Sequence, residues 1–245
     1  MLLTLDIGNS FIKCAVFERD ILIEKQICEN KDAINFFTFF FKNNPKITNG
    51  IISSVGKLDM EFLKLLKEHI ILTEVSHATS FPFTNNYETP KTLGIDRMVL
   101  VAGAVLLYPN ANRLIIDAGT CITYDFVDKE NEYFGGSISP GLNLRYKSLN
   151  AHTQNLPLLS KQTVSFLTGT TTESAIHTGI VNGVVFELEG FISRYLDKYE
   201  DLTIILTGGD AVFLAKSLKN TIFANSNFLL ESLNQLYTYC KDKNG

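Results

Sequence analysis

The sequence predicts an α/β protein made of two related domains, and three observations predict it. A strand-and-turn motif near the N-terminus recurs 111 residues later. Each copy is followed by a later strand that ends in small residues, and amphipathic helical stretches separate the strands. In the first copy, Leu3-Thr-Leu-Asp6-Ile-Gly8-Asn9 reads as an apolar strand, an acid, any residue, a glycine and a small polar residue. Leu114-Ile-Ile-Asp117-Ala-Gly119-Thr120 reads the same way. The spacing holds for Asp6 and Asp117, for Gly8 and Gly119, and for Val16 and Val127.

The elements follow in order. The first turn joins its strand to a β-rich run over 11–17, the pattern of a hairpin whose tight turn needs glycine. Helical patterns are expected over 33–43, 60–68 and 97–108, with a strand over 50–56 between the first two. The turn at Tyr108-Pro109-Asn110-Ala111-Asn112 marks the domain boundary, giving domains 1–109 and 110–245. The second hairpin returns over 122–127, and a long helix follows over 173–195 with Ile176, Ile180, Val184, Leu188 and Ile192 on one stripe. A strand over 202–207 runs into Gly208-Gly209-Asp210 and a helix over 211–218, and a last helix covers 229–241.

The bulk numbers bound the function. A chain of 245 residues with 45% hydrophobic and 20% charged residues can build a sizeable core. A net charge of -4 and a pI near 5.6 disfavour nucleic acid, because no basic surplus exists to displace counterions. Cys14, Cys28, Cys121 and Cys240 form no C-x-x-C pair, so scattered thiols point to a reducing, cytoplasmic setting rather than to zinc. The N-terminal run is cut short by Asp6 and reads as a buried strand, not a signal peptide. The longest uninterrupted apolar stretch, over 98–108, is shorter than a membrane span.

Three small-residue turns at strand ends, at Gly8, Gly119 and Gly208-Gly209, imply a ligand cleft between the halves. Glycine lets backbone N–H groups approach an anion, and Asn9, Ser10, Thr120 and Thr123 add side-chain donors. Together they suit the phosphates of ATP. Asp6 and Asp117 repel phosphate and are suited instead to holding a cation that grips it. Lys13 could reach the phosphates or simply lie solvated on its strand. Neither a P-loop nor a G-x-G-x-x-G fingerprint is present, and His152 and His177 read as surface or helix residues. Asp96, opening an apolar helix within Gly94-Ile-Asp96-Arg97, is either an N-cap or a general base beside an arginine anion clamp.

Five blocks in order resemble the type III pantothenate kinases of the actin, sugar-kinase and Hsp70 superfamily. They are Asp6-Ile-Gly-Asn-Ser-Phe-Ile-Lys13, Gly94-Ile-Asp-Arg97, Asp117-Ala-Gly-Thr120, Gly135-Gly-Ser-Ile-Ser-Pro-Gly141 and Thr207-Gly-Gly-Asp210. The resemblance implies two ribonuclease-H-like, actin-like ATPase domains with an interdomain nucleotide cleft, and ATP-dependent phosphorylation of pantothenate in coenzyme A synthesis. It implies that Asp6, Ile7, Gly8, Asn9, Ser10, Phe11, Ile12, Lys13 and Thr120 bind ATP. Asp117 takes a monovalent cation, K⁺ or NH₄⁺, Mg²⁺ accompanies the nucleotide, and Asp6 helps place it. Tyr87, Gly94, Ile95, Asp96, Arg97 and Thr172 line the pantothenate pocket, and Asp96 accepts the hydroxyl proton. The loop 135–141 shapes the phosphate or substrate region, and a cytoplasmic homodimer is implied, with the long helix serving both core and interface. The departures are Thr171, where many relatives carry asparagine, and Cys121, where alanine is usual. Two rivals predict other behaviour. An actin-like ATPase switch hydrolyses ATP without an acceptor, and a non-catalytic transcriptional accessory factor would lack Asp6, Asp96 or Asp117.

Overall fold

The computed structural model describes the chain except for Val55, Lys57, Leu58, Asn220, Thr221, Gly245 and the side chain of Asn244. It divides into two compact units. The first comprises Met1–Pro109, Glu130–Phe134 and Asn227–Gly245, and the second comprises Asn110–Lys129 and Gly135–Ser226.

In the first unit, β1 (Leu2–Ile7), β2 (Phe11–Glu18) and β3 (Ile21–Glu29) form an antiparallel meander. Parallel strands β4 (Asn49–Ser54) and β5 (Ile71–Glu74) extend it, giving the order β3-β2-β1-β4-β5. Of the strand expected over 50–56, Val55 lies outside the described residues. Every residue of β1 is buried, because both sheet faces are covered. Leu3, Leu5 and Ile7 point to a cluster with Phe37, Phe40 and Phe41 of α1 (Ala33–Asn43) and Phe62 and Leu66 of α2 (Met60–His69). Leu2, one step out of phase, joins Ala15, Phe17 and Ile51 on the other face, under Val99 and Ala102 of α3 (Ile95–Leu107).

The C-terminal helix α8 (Phe228–Asn244) completes that second cluster through Leu230, Leu233 and Leu236. Residues 227–245 therefore pack with the first unit, whereas a contiguous cut at 109 places them with the second. The physical reason is a tight helix crossing. A Cβ on Gly103 would sit 1.9 Å from Ser232 Oγ, so α3 and α8 approach this closely only because residue 103 has no side chain.

In the second unit, β7 (Asn112–Ala118), β8 (Cys121–Val127), β9 (Glu132–Pro140), β10 (Leu202–Thr207) and β11 (Phe223–Ala224) lie in the order β11-β10-β7-β8-β9. Counted from its own first strand, this is the first unit's order read from the other edge. β9 begins in the first unit, where its residues Glu132 and Tyr133 pair with β6 (Thr84–Asn85). The segment 135–141, expected as a loop, is the rest of this strand followed by one turn residue. Its glycines disguise it in the sequence. Gly136 is needed because a Cβ there would meet Tyr124 O at 1.6 Å, across the ladder.

The helices of this unit are α4 (Leu142–Ala151), α5 (Thr172–His177), α6 (Gly183–Leu196) and α7 (Ala211–Ala215), the last shorter than the expected 211–218. A π turn over Thr178–Asn182 joins α5 to α6. A strict four-residue repeat drifts by about 40° per step on an ideal α-helix. The wider π turn advances less per residue and takes back part of that drift, which keeps Ile176, Ile180, Val184, Leu188 and Ile192 all in the core. By length and composition Thr172–Leu196 could cross a membrane, but half of its most apolar window is buried, so the core accounts for its apolarity.

Candidate active site

The first turn is built by backbone pairing. Ile7 pairs with Ile12, and the Gly8 amide donates to Phe11 O at 3.0 Å, leaving Asn9 and Ser10 exposed at the tip. Asn30, which the sequence reading did not single out, fastens the turn from outside: its amide donates to Ser10 O (3.0 Å) and its Nδ2 to Gly8 O (2.9 Å). Phe11 is half exposed, whereas Ile7 and Ile12 face the core.

Asp6 lies just before this turn and is 8% exposed. Ser53 Oγ donates to its Oδ1 at 3.5 Å, and Lys13 Nζ stands 4.0 Å from Oδ2. Burial pushes the Asp6 carboxyl up to about 6; Lys13 opposes the shift, the charge of Asp96 reinforces it, and Ser53 opposes it weakly. Asp6 and Asp96 therefore share one electrostatic environment within the first unit. Ser53, at the end of β4, is the residue through which the strand ending in small residues enters the site.

Asp96 is not an N-cap. Gly94 holds that position, and Asp96 is the second residue of α3. Its Oδ1 accepts the Arg97 amide at 2.9 Å, and the carboxylate folds back over Gly94, where a Cβ would lie 2.4 Å from Oδ1. Glycine at 94 is thus a steric requirement of the Asp96 rotamer. Arg97 is buried, with its guanidinium 5.7 Å from the centre of the Tyr87 ring. Tyr87 in turn stacks on the buried Tyr133 at 6.5 Å. Tyr133 is a supporting residue that only the β6–β9 pairing reveals.

The second turn repeats the first with one residue fewer. Asp6 pairs with Lys13 and Asp117 with Thr123, so the following strands align at a spacing of 110 rather than 111, and Thr123 takes the place of Lys13. Thr123 Oγ1 is buried without a hydrogen-bond partner. Thr120 is exposed at the tip, and its carbonyl accepts the Gly141 amide at 2.9 Å. Gly208, at φ +95°, packs on this turn, and a Cβ there would lie 2.4 Å from Asp117 Oδ1. The Asp210 amide donates to Ala118 O (2.9 Å), and the Asp210 carboxylate is paired with Lys161. Thr172 is exposed at the first position of α5 in the second unit. Thr171 caps that helix reciprocally with Ser174, so threonine serves as the cap here. His177 is buried against Tyr146, and His152 is exposed at the end of α4.

Among the described residues no group of three or more His, Cys, Asp or Glu could hold a metal ion. Each turn offers a single carboxylate. The two carboxylates differ in their surroundings. Asp6 is a desolvated carboxylate with Lys13 Nζ 4.0 Å away. Asp117 lies across the ladder from an orphaned hydroxyl that carries no charge.

The sequence comparisons agree with one another. The family model for type III pantothenate kinase matches residues 2–194. A type III pantothenate kinase of Flavobacterium psychrophilum is 53% identical over 98% of this chain and 100% of its own length. Among solved structures, a Campylobacter jejuni protein described as a Baf family transcriptional activator aligns at TM-score 0.64 and 22% identity, covering 98% of this chain and 99% of its own. A Listeria monocytogenes protein described as an N-acetylmannosamine kinase aligns at TM-score 0.53 and 12% identity, covering 99% of each chain. The fold is the two-domain fold of sugar kinases and actin-like ATPases, and the chain belongs to the type III pantothenate kinase family.

Proposed function

We propose that the protein phosphorylates pantothenate to 4'-phosphopantothenate, the first step of coenzyme A biosynthesis, by direct in-line transfer from ATP with Asp96 as the general base. The observation that supports the mechanism is that the charge of Asp96 reaches Asp6 and adds to the upward push on its carboxyl. That influence supports reading Asp96 as a proton acceptor near the turn that would hold the phosphates. Asp96 Oδ1 is held by the Arg97 amide, which leaves Oδ2 to accept the hydroxyl proton as the P–O bond forms.

The remaining roles follow from the family resemblance. Residues 6–13 and Thr120 bind ATP, with the exposed turn tips at Asn9, Ser10 and Thr120 and Lys13 facing developing charge on the phosphoryl oxygens. Tyr87, Gly94, Ile95, Arg97 and Thr172 bind pantothenate, Arg97 being oriented by Tyr87. Asp6 would hold Mg²⁺, and Asp117 with Thr123 would hold K⁺ or NH₄⁺. When bound, these cations neutralise phosphate charge and complete their shells with phosphate oxygens and water. A cytoplasmic homodimer without nucleic-acid or membrane partners accords with the net charge of -4 and the family. The likeness to the Campylobacter protein, at 22% identity, shows the fold alone and lends no support to a transcriptional role.

The test is stereochemical: ATP made chiral at the γ-phosphorus should give phosphopantothenate of inverted configuration. Retention would mean a phosphoenzyme and would sink direct transfer.

A further inference from the structure

We propose that Glu187 is a positioning residue for the second phosphate turn, acting through Ser139 and Gly141. The proposal rests on the reading of Thr120 as a nucleotide contact. Glu187, on α6, sits at a junction of three donors. Its Oε1 accepts from Tyr124 OH (2.7 Å) and Ser139 Oγ (2.5 Å), and its Oε2 pairs with Arg145. Burial acts to raise its pKa, but the hydrogen bonds from Ser139, Arg145 and Tyr124 outweigh that and lower it, so the carboxylate stays charged.

The junction clamps the end of β9. Ser139 is held directly, and Arg145, fixed by Glu187, donates its Nε to Pro140 O at 2.8 Å. The next residue, Gly141, is pressed into the turn: its amide donates to Thr120 O at 2.9 Å, and a Cβ would lie 2.2 Å from Gly119 O. A rigid path thus runs from Glu187 through Ser139, Pro140 and Gly141 to the backbone of Gly119 and Thr120. Tyr124 bonds to the same oxygen of Glu187 from β8, which the ladder with β7 already holds in place. It contributes to the junction without controlling Gly141.

Ser139→Ala and Tyr124→Phe each remove one hydrogen bond to Glu187 Oε1, so a mere structural staple predicts equal effects. Affinity for MgATP is read by calorimetry well below the melting temperature. Ser139→Ala should weaken binding by about tenfold, and Glu187→Gln at least as much, the usual range for loss of an outer-shell support. Tyr124→Phe should stay within about twofold of wild type, while the melting midpoints of the two single-bond variants fall by similar amounts. Equal changes in ATP affinity for Ser139→Ala and Tyr124→Phe, or no change in either, would overturn the proposal, as would a wild-type protein that binds no ATP. Because this readout needs no acceptor, the pantothenate assignment can fail in a turnover assay while the result here stands.

Discussion

Lys13 Nζ stands 4.0 Å from Asp6 Oδ2, across the β1–β2 ladder, and the corresponding position opposite Asp117 is Thr123. The two turns are therefore alike in backbone and differ in the residue across the ladder, a lysine in the first and a threonine in the second. The first carries Lys13; in the second, Thr123 Oγ1 is buried without a hydrogen-bond partner among the described residues. This difference is what the proposed placement of a monovalent cation at the second turn rests on, and it can be tested. Thr123→Val should raise the half-saturating K⁺ concentration by about tenfold while leaving kcat at saturating K⁺ within about threefold. Asp117→Asn should abolish K⁺ activation. Unchanged K⁺ dependence in a titration of both variants contradicts the assignment.

The Asp6 carboxyl, raised to about 6 by burial, gives stability a pH signature. Between the ordinary carboxyl value of 3.8 and 6 the folded state binds more protons than the unfolded state, so ligand-free stability falls as pH rises through that window. The fall is at most about 3 kcal/mol, from 1.36 kcal/mol per pKa unit. Asp6→Asn should flatten that part of the profile and weaken MgATP binding. Urea melts of both proteins at pH 4.5 and 7.5 check it, and parallel profiles contradict it.

Asp96 and Gly94 form one device. Asp96→Asn should lower kcat by about 10²–10⁴, the range for general-base loss, with ATP affinity nearly unchanged. Gly94→Ala places a Cβ 2.4 Å from Asp96 Oδ1 and must move the carboxylate. It should lower kcat by about 10²-fold, the cost of misplacing a catalytic group by an ångström. Steady-state kinetics read both, and a fully active Gly94→Ala variant contradicts the geometry.

Gly103→Ala tests the return of α8 to the first unit. The added Cβ would meet Ser232 Oγ at 1.9 Å, so the helices must separate, at a cost of about 1–3 kcal/mol. The double variant with Ser232→Gly should recover only part of that loss, because the added Cβ would still lie 2.8 Å from the residue-232 Cα. Denaturant midpoints measure it.

Much of this was legible from periodicity. The helix expected over 33–43 is α1 residue for residue, and the apolar stripe of the long helix is buried throughout. The Asp-x-Gly repeat marked both turns because buried strands and glycine turns are local features. What stayed hidden depends on tertiary contact. Asn30 fastens the first turn from 22 residues away, and Tyr133 supports Tyr87 only because β6 pairs with β9. The one-residue shortening of the second turn is invisible to a fixed offset, since Val16 and Val127 match by letter but not by register. The strand β9 was obscured by glycines that exist to let its backbone approach Tyr124. Asp96 looked like a cap because acids favour helix starts, and only the structure shows Gly94 in that position.

The most direct test of the central claim is ADP release measured with ATP, Mg²⁺ and K⁺, in the presence and absence of pantothenate. Release that depends on pantothenate, and that disappears in Asp96→Asn, is the predicted result. ADP release at the same rate without pantothenate would instead make the protein a nucleotide-driven switch and contradict the account.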